Sequence, residues 1–195
     1  MRHAPNSAET RPAVPTATTW RPVLFRAVVS LAFGAVTIFW ATQSTVAMGI
    51  LGGLYLAATG AILLSGGSKG GFGHSAGAGR LLAAGSSVLV GAGVAAAALH
   101  GEVLFAVFAV IGLGVMGLME TISGILRRGQ DVLARDWLVS GVIGLGTAVL
   151  LPFFTPLGVH ALLGVAGGGA VVSGVLWILS GLSLRHDSRP GSDKP

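Results

Sequence analysis

The sequence predicts an all-α membrane protein, with six transmembrane helices arranged as three parallel hairpin repeats in one bundle. Three observations carry that prediction. The chain of 195 residues is 52% hydrophobic and only 10% charged, with a mean hydropathy of +0.81, whereas ordinary soluble domains are roughly 25% charged. Its apolar residues gather in six runs, each close to the roughly 20 residues needed to cross a hydrocarbon core. All twelve Lys and Arg fall on one side of those runs. A soluble globule of this composition would lack the polar side chains to cover its surface, a demand that a bilayer does not make. The runs are continuous, without the alternation of a membrane barrel, so they read as helices.

Taken in order, residues 1–20 contain three prolines and several Ser, Thr and Ala, the composition of a disordered cytoplasmic tail. The run at 23–41 is longer than a signal-peptide core and is soon followed by another, so it is expected to stay as a span. The remaining spans are expected at 45–64, 81–99, 103–126, 137–154 and 157–184, the last long enough to tilt or to reach into the interface. Short turns at 42–44, 100–102 and 155–156 alternate with longer links at 65–80 and 127–136. That alternation pairs the helices into hairpins at 21–64, 80–126 and 137–184 within a membrane domain of 21–185, followed by a cytoplasmic tail at 186–195. The short turns carry no Lys or Arg. Because retained loops hold the basic excess, both termini and the longer links are placed in the cytoplasm.

The hairpins also resemble one another. Gly34, Gly91 and Gly146 sit at similar depth in the first helices, and Gly60, Gly124 and Gly181 near the close of the second, at a spacing near 57 residues. A two-helix unit begins and ends on the same side, so such repeats are parallel and related by an axis along the membrane normal.

The segment WRPVLFRAVVSLAFG at 20–34 resembles the opening helix of the HdeD-like family, small bacterial membrane proteins with six spans in repeated hairpins. The resemblance continues through LYLAATG at 54–60 and WLVSGVIGLG at 137–146, with Pro152 closing that helix, and covers most of residues 20–185. The chain departs from the family pattern at Ala27, where glycine tends to follow the arginine, and at Trp40 and Ala41, where a proline often ends the helix. The resemblance implies a plasma-membrane protein with a link to acid or envelope stress, and no particular reaction.

Glu120 is the outstanding candidate for chemistry. It precedes Arg127 by seven residues, which places it roughly 10 Å inside the boundary at 1.5 Å per residue. A carboxylate there must face the bundle and find a cation or take up a proton. Arg26, about one turn inside the first span from the same side, is the expected partner; the repeat aligns Glu120 with Leu56 and Trp177. Functionally the acid could bind a proton or cation; structurally it would be half of an ion pair. His100, Glu102 and His160 lie at or near the short turns, where imidazoles could gain charge as the outside acidifies, although solvated surface histidines need no such role.

Other features exclude more than they suggest. With no cysteine there are no disulfides, thiolate nucleophiles or cysteine metal sites, and no histidine spacing makes a metal motif. The net charge of +5 would suit a nucleic-acid binder only if the basic residues lay on a soluble face. The glycine-rich stretch at 66–73 fails as a phosphate loop, because Ser68 precedes Lys69 and Gly70 follows it, and it reads as a linker. Gly49, Gly53, Gly164, Gly167, Gly168 and Gly169 permit close helix approach within the chain or in a homo-oligomer. Trp20, Trp40, Trp137 and Trp177 read as interfacial anchors. The expectation is therefore a non-enzymatic membrane protein without cofactor, metal or nucleic-acid partner. A small transporter or proton conductor using Glu120 is the alternative, and a membrane enzyme is disfavoured because no catalytic constellation shares one depth.

Overall fold

The computed structural model describes residues 20–40, 42–68 and 76–187. Of the expected tails at 1–20 and 186–195, residues 1–19 and 188–195 lie outside the described residues, as do residue 41 and the linker residues 69–75 with Lys69, while Trp20, His186 and Asp187 are helical. Six helices follow in chain order: α1 Trp20–Phe39, α2 Thr45–Ser68, α3 Ala76–Ala98, α4 Glu102–Leu126, α5 Ala134–Phe154 and α6 Val159–Asp187. Each contains a span long and apolar enough to cross a membrane, and only 28–44% of the most apolar stretch of each is buried inside the protein. The rest is an apolar exterior, including Phe25, Phe39 and Phe153 at 68–85% exposure. A surface of that kind requires lipid as its solvent.

The helix ends differ from the sequence expectation where polar residues are tolerated at a boundary. Helix α2 runs on to Ser68, α3 begins at Ala76 and α5 at Ala134, because a helix satisfies its own backbone well beyond the point where its side chains stop being apolar. Pro152 does not close α5, which reaches Phe154. A 3-10 turn at Thr155–Leu157 then separates α5 from α6, and Gly158, at φ +85°, makes the reversal a side chain would strain. At the first short turn Ser44 caps α2, its hydroxyl accepting the Ala47 N–H at 3.2 Å.

The bundle is a closed ring in chain order, with α6 packed against α1. Helices α2, α4 and α6 also meet one another in the centre, whereas among the described residues the backbones of α1, α3 and α5 do not approach one another and lie in the outer grooves. The tightest seams are α2–α3, α4–α5 and α6–α1, and not the α1–α2, α3–α4 and α5–α6 pairs joined by short turns. Glycine explains the choice. In α2, Gly53 and Gly60 face the carbonyls of Gly93 and Ser86 in α3; in α4, Gly117 and Gly124 face those of Gly141 and Ala134 in α5; in α6, Gly174 and Gly181 receive Leu31 and Leu24 of α1. Each pair is seven residues apart, so one helix face lies close on its neighbour, backbone to backbone in the first two seams and against leucine side chains in the third, the close approach that favours helix association in lipid. Gly49, Gly167 and Gly169 also pack inside the chain, while Gly164 and Gly168 face open space.

Both described ends of the chain lie together, since the Arg185 guanidinium sits 5.5 Å over the Trp20 ring. Arg127 sits in the same way over Trp137, also at 5.5 Å, closing the α4–α5 seam. This is the basic end of the bundle; the three short turns form the other, the turn end.

Candidate functional site

The helices that begin at the turn end, at Thr45, Glu102 and Val159, start 57 residues apart. At that spacing the counterparts of Glu120 are Leu63 and Trp177. The alignment with Leu56 suggested by the glycine pattern is therefore one heptad out. The same spacing, applied twice, carries Arg26 of α1 onto Ser140 of α5.

These residues meet in the core. Arg26 reaches from the outer helix α1 across the bundle, and its Nη1 donates to Oε1 of Glu120 on α4 at 2.5 Å. Its Nη2 donates to the Ser140 hydroxyl at 3.3 Å. The guanidinium plane lies 4.6 Å over the Trp177 ring, and the indole Nε1 of Trp177 donates to the same Ser140 oxygen at 3.2 Å. Glu120 is 2% and Arg26 7% exposed. An ion pair taken so far from water is tolerable only with good geometry and further hydrogen bonds, and here the cation has a carboxylate, a hydroxyl and an indole face together. On α2, Tyr55 stacks flat on Phe33 of α1, ring centroids 4.3 Å apart, and its hydroxyl lies beside Ser30 and Thr59 and in the field of Arg26 and Glu120. Four helices thus contribute to one charge-centred cluster, and a fifth borders it.

The expected Arg26–Glu120 pairing is what the structure contains. Ser140, Tyr55 and the role of Trp177 were not foreseen. Trp137 and Trp177, read as interfacial anchors, are 0% and 1% exposed and are core residues: each indole lies under an arginine. The 57-residue spacing held the signal for both Ser140 and Trp177, but a tryptophan near a span end looks the same in sequence whether it points outward or inward.

At the turn end His100 and His160 are exposed and Glu102 is half-buried. No ion pair joins them among the described residues, nor does any group of three His, Asp or Glu gather in metal-binding range there. The arginines of the basic end are organised separately: Arg127 bonds Asp131 at 3.0 Å, and Asp131 accepts the Leu133 N–H at 3.0 Å, fixing the turn into α5.

Fold and site together define a multi-pass integral membrane protein with a charge pair sealed in its core. Comparison with protein-family models, with curated proteins and with solved structures finds no match.

Proposed function

We propose that this chain is a non-enzymatic plasma-membrane protein of the HdeD-like type that serves acid or envelope stress, with its basic end and both termini in the cytoplasm. The basic rim at one end of six apolar helices supports the orientation, and the resemblance at 20–34, 54–60 and 137–146 supports the family. One observation carries the functional reading: the most conspicuous intramembrane acid, Glu120, is spent on a buried guanidinium whose other faces are also occupied. The pair then acts as a lock that holds α1 to α4 through the centre of the bundle.

The conducting alternative would need Glu120 to exchange protons with both sides. Toward the turn end, however, the core is filled by Met48, Leu56, Phe105, Leu151, Leu162 and Leu163, all at most 2% exposed. Such a plug favours the lock. Purified protein in liposomes with an internal pH-sensitive dye is expected to show no proton flux above empty vesicles; flux that Glu120→Gln abolishes would establish the conductor instead. For the stress role, cells lacking the gene should survive acid challenge less well and recover with the intact chain. Equal survival would remove that part of the proposal.

A further inference from the structure

The basic end carries arginines in a repeated pattern. The 57-residue spacing carries Arg128, just past the end of α4, onto Arg185 in the last turn of α6, and twice that spacing carries Arg21 at the start of α1 onto Arg135 at the start of α5. The seams α4–α5 and α6–α1 therefore each present two exposed arginines, one from either side. Their surroundings differ. At α4–α5 two acids stand among the cations: Asp131 bonds Arg127, and half-buried Asp136 lies beside Ser180 and in the field of Arg135. At α6–α1, Arg21 has no carboxylate within ion-pair distance among the described residues. Instead the Arg21 and Arg185 guanidiniums both sit 5.5 Å from the ring of Trp20. That indole is partly buried against the core, and its N–H donates to nothing among the described residues. Two cations gathered at one aromatic ring repel each other, and an anion shared between them relieves the repulsion.

Toward the membrane interior the same seam turns apolar side chains outward. Phe25 and Val28 follow Arg21 by four and seven residues, Leu182 and Leu179 precede Arg185 by three and six, and all four are exposed. Each arginine thus heads an apolar stripe on its own helix. Cations and an indole above apolar stripes match the parts of a phospholipid in order, phosphate, glycerol esters and acyl chains. We infer that the α6–α1 seam binds one anionic phospholipid at the basic end. Arg21 and Arg185 hold its phosphate, which suits the guanidinium fork, Trp20 lies beside its glycerol esters, and its chains follow the two stripes. At α4–α5, Asp131 and Asp136 offset the equivalent arginines, so that seam attracts a headgroup less.

Native mass spectrometry of the full chain in neutral detergent tests this, with phosphatidylglycerol and phosphatidylcholine of identical acyl chains offered in equal amounts. The first lipid retained should be phosphatidylglycerol several-fold more often than phosphatidylcholine. Arg21→Gln combined with Arg185→Gln should abolish that preference, and Arg21→Gln alone should reduce it. Arg128→Gln combined with Arg135→Gln removes the same charge from the same end and should keep most of it. Phosphatidylglycerol should also raise the thermal denaturation midpoint of the unmodified chain, whereas inorganic phosphate at equal concentration should not. No preference in the unmodified chain would overturn the inference, as would a preference that survives loss of Arg21 and Arg185. An equal fall in both double variants would reduce the site to general surface charge, and equal stabilisation by inorganic phosphate would make it a free-anion site; either result also overturns the inference.

Discussion

The two halves of the bundle are held together by different physics. In the basic-end half, polar side chains bond across helices: Arg26 to Glu120 and Ser140, and Trp177 to Ser140. In the turn-end half, the threonines bond only within their own helices, Thr37 to the Gly34 carbonyl at 2.8 Å and Thr147 to that of Ile143 at 2.9 Å, and cohesion comes from apolar side chains in contact. Both halves share the glycine seams, which bring the backbones close along the whole length. The contrast shows where specificity comes from. Lipid tails are as apolar as leucine, so apolar contacts alone distinguish poorly between one helix arrangement and another, whereas a carboxylate with a single complementary cation admits only one register.

The comparison breaks most visibly at the pair. Glu120→Ala leaves the Arg26 guanidinium buried without its counter-ion and should destabilise the protein by about 3–5 kcal/mol, read from equilibrium unfolding in mixed micelles. Combining Arg26→Met with Glu120→Leu removes both charges and should return stability to the wild-type value or above it, at the expense of a unique helix register. A loss below about 1 kcal/mol in Glu120→Ala, the range of an exposed pair, would show that the charge pair is not what orders this half.

In the turn-end half the corresponding lesion is a cavity. Leu162 is 0% exposed among the plug residues, and Leu162→Ala should cost about 3 kcal/mol through lost contacts that the rigid seams cannot refill. Unlike the loss at Glu120, this one has no electrostatic component and should not change with a second substitution at Arg26. Coupling between Leu162→Ala and Arg26→Met in a double-mutant cycle would mean that the halves are not independent.

How much of this was legible in the sequence follows the same division. The six spans, the basic end and the Arg26–Glu120 pair were readable because hydropathy, charge placement and the energetic demand of a buried acid each act on single residues or short windows. The seams were not, because short turns suggest hairpins while the glycine faces, which decide the tightest packing, pair each second helix with the following first helix and α6 with α1. Trp177 was visible but misassigned. Its depth is fixed by the sequence, but its direction is set by Arg26, 151 positions away in the chain. Ser140 gave no sign of its own, since a serine in a span is common and only its place 114 residues on from Arg26, twice the 57-residue helix spacing, marks it.

The hydroxyls give a smaller but cleaner contrast. Ser140 receives hydrogen bonds from a cation and an indole, so Ser140→Ala should cost about 2 kcal/mol, in the range of hydrogen bonds to charged groups. It should also loosen Arg26, which indole fluorescence would report through Trp177.

Thr37 is the counterpart at the turn end, 2% exposed and packed where Gly167 leaves room for it. Its hydroxyl bonds a carbonyl of its own helix, and that oxygen is already an acceptor in the helix ladder. Thr37→Val keeps the branched shape, frees no buried partner and exchanges residues of nearly equal helix propensity. The expected change is within about 0.5 kcal/mol, well below the typical worth of a hydrogen bond between separate groups. Measured beside Ser140→Ala, it separates the presence of a buried hydroxyl from what that hydroxyl connects. If Thr37→Val cost as much as Ser140→Ala, polar bonding in the turn-end half would extend beyond its own helices, and the division between the two halves would fail.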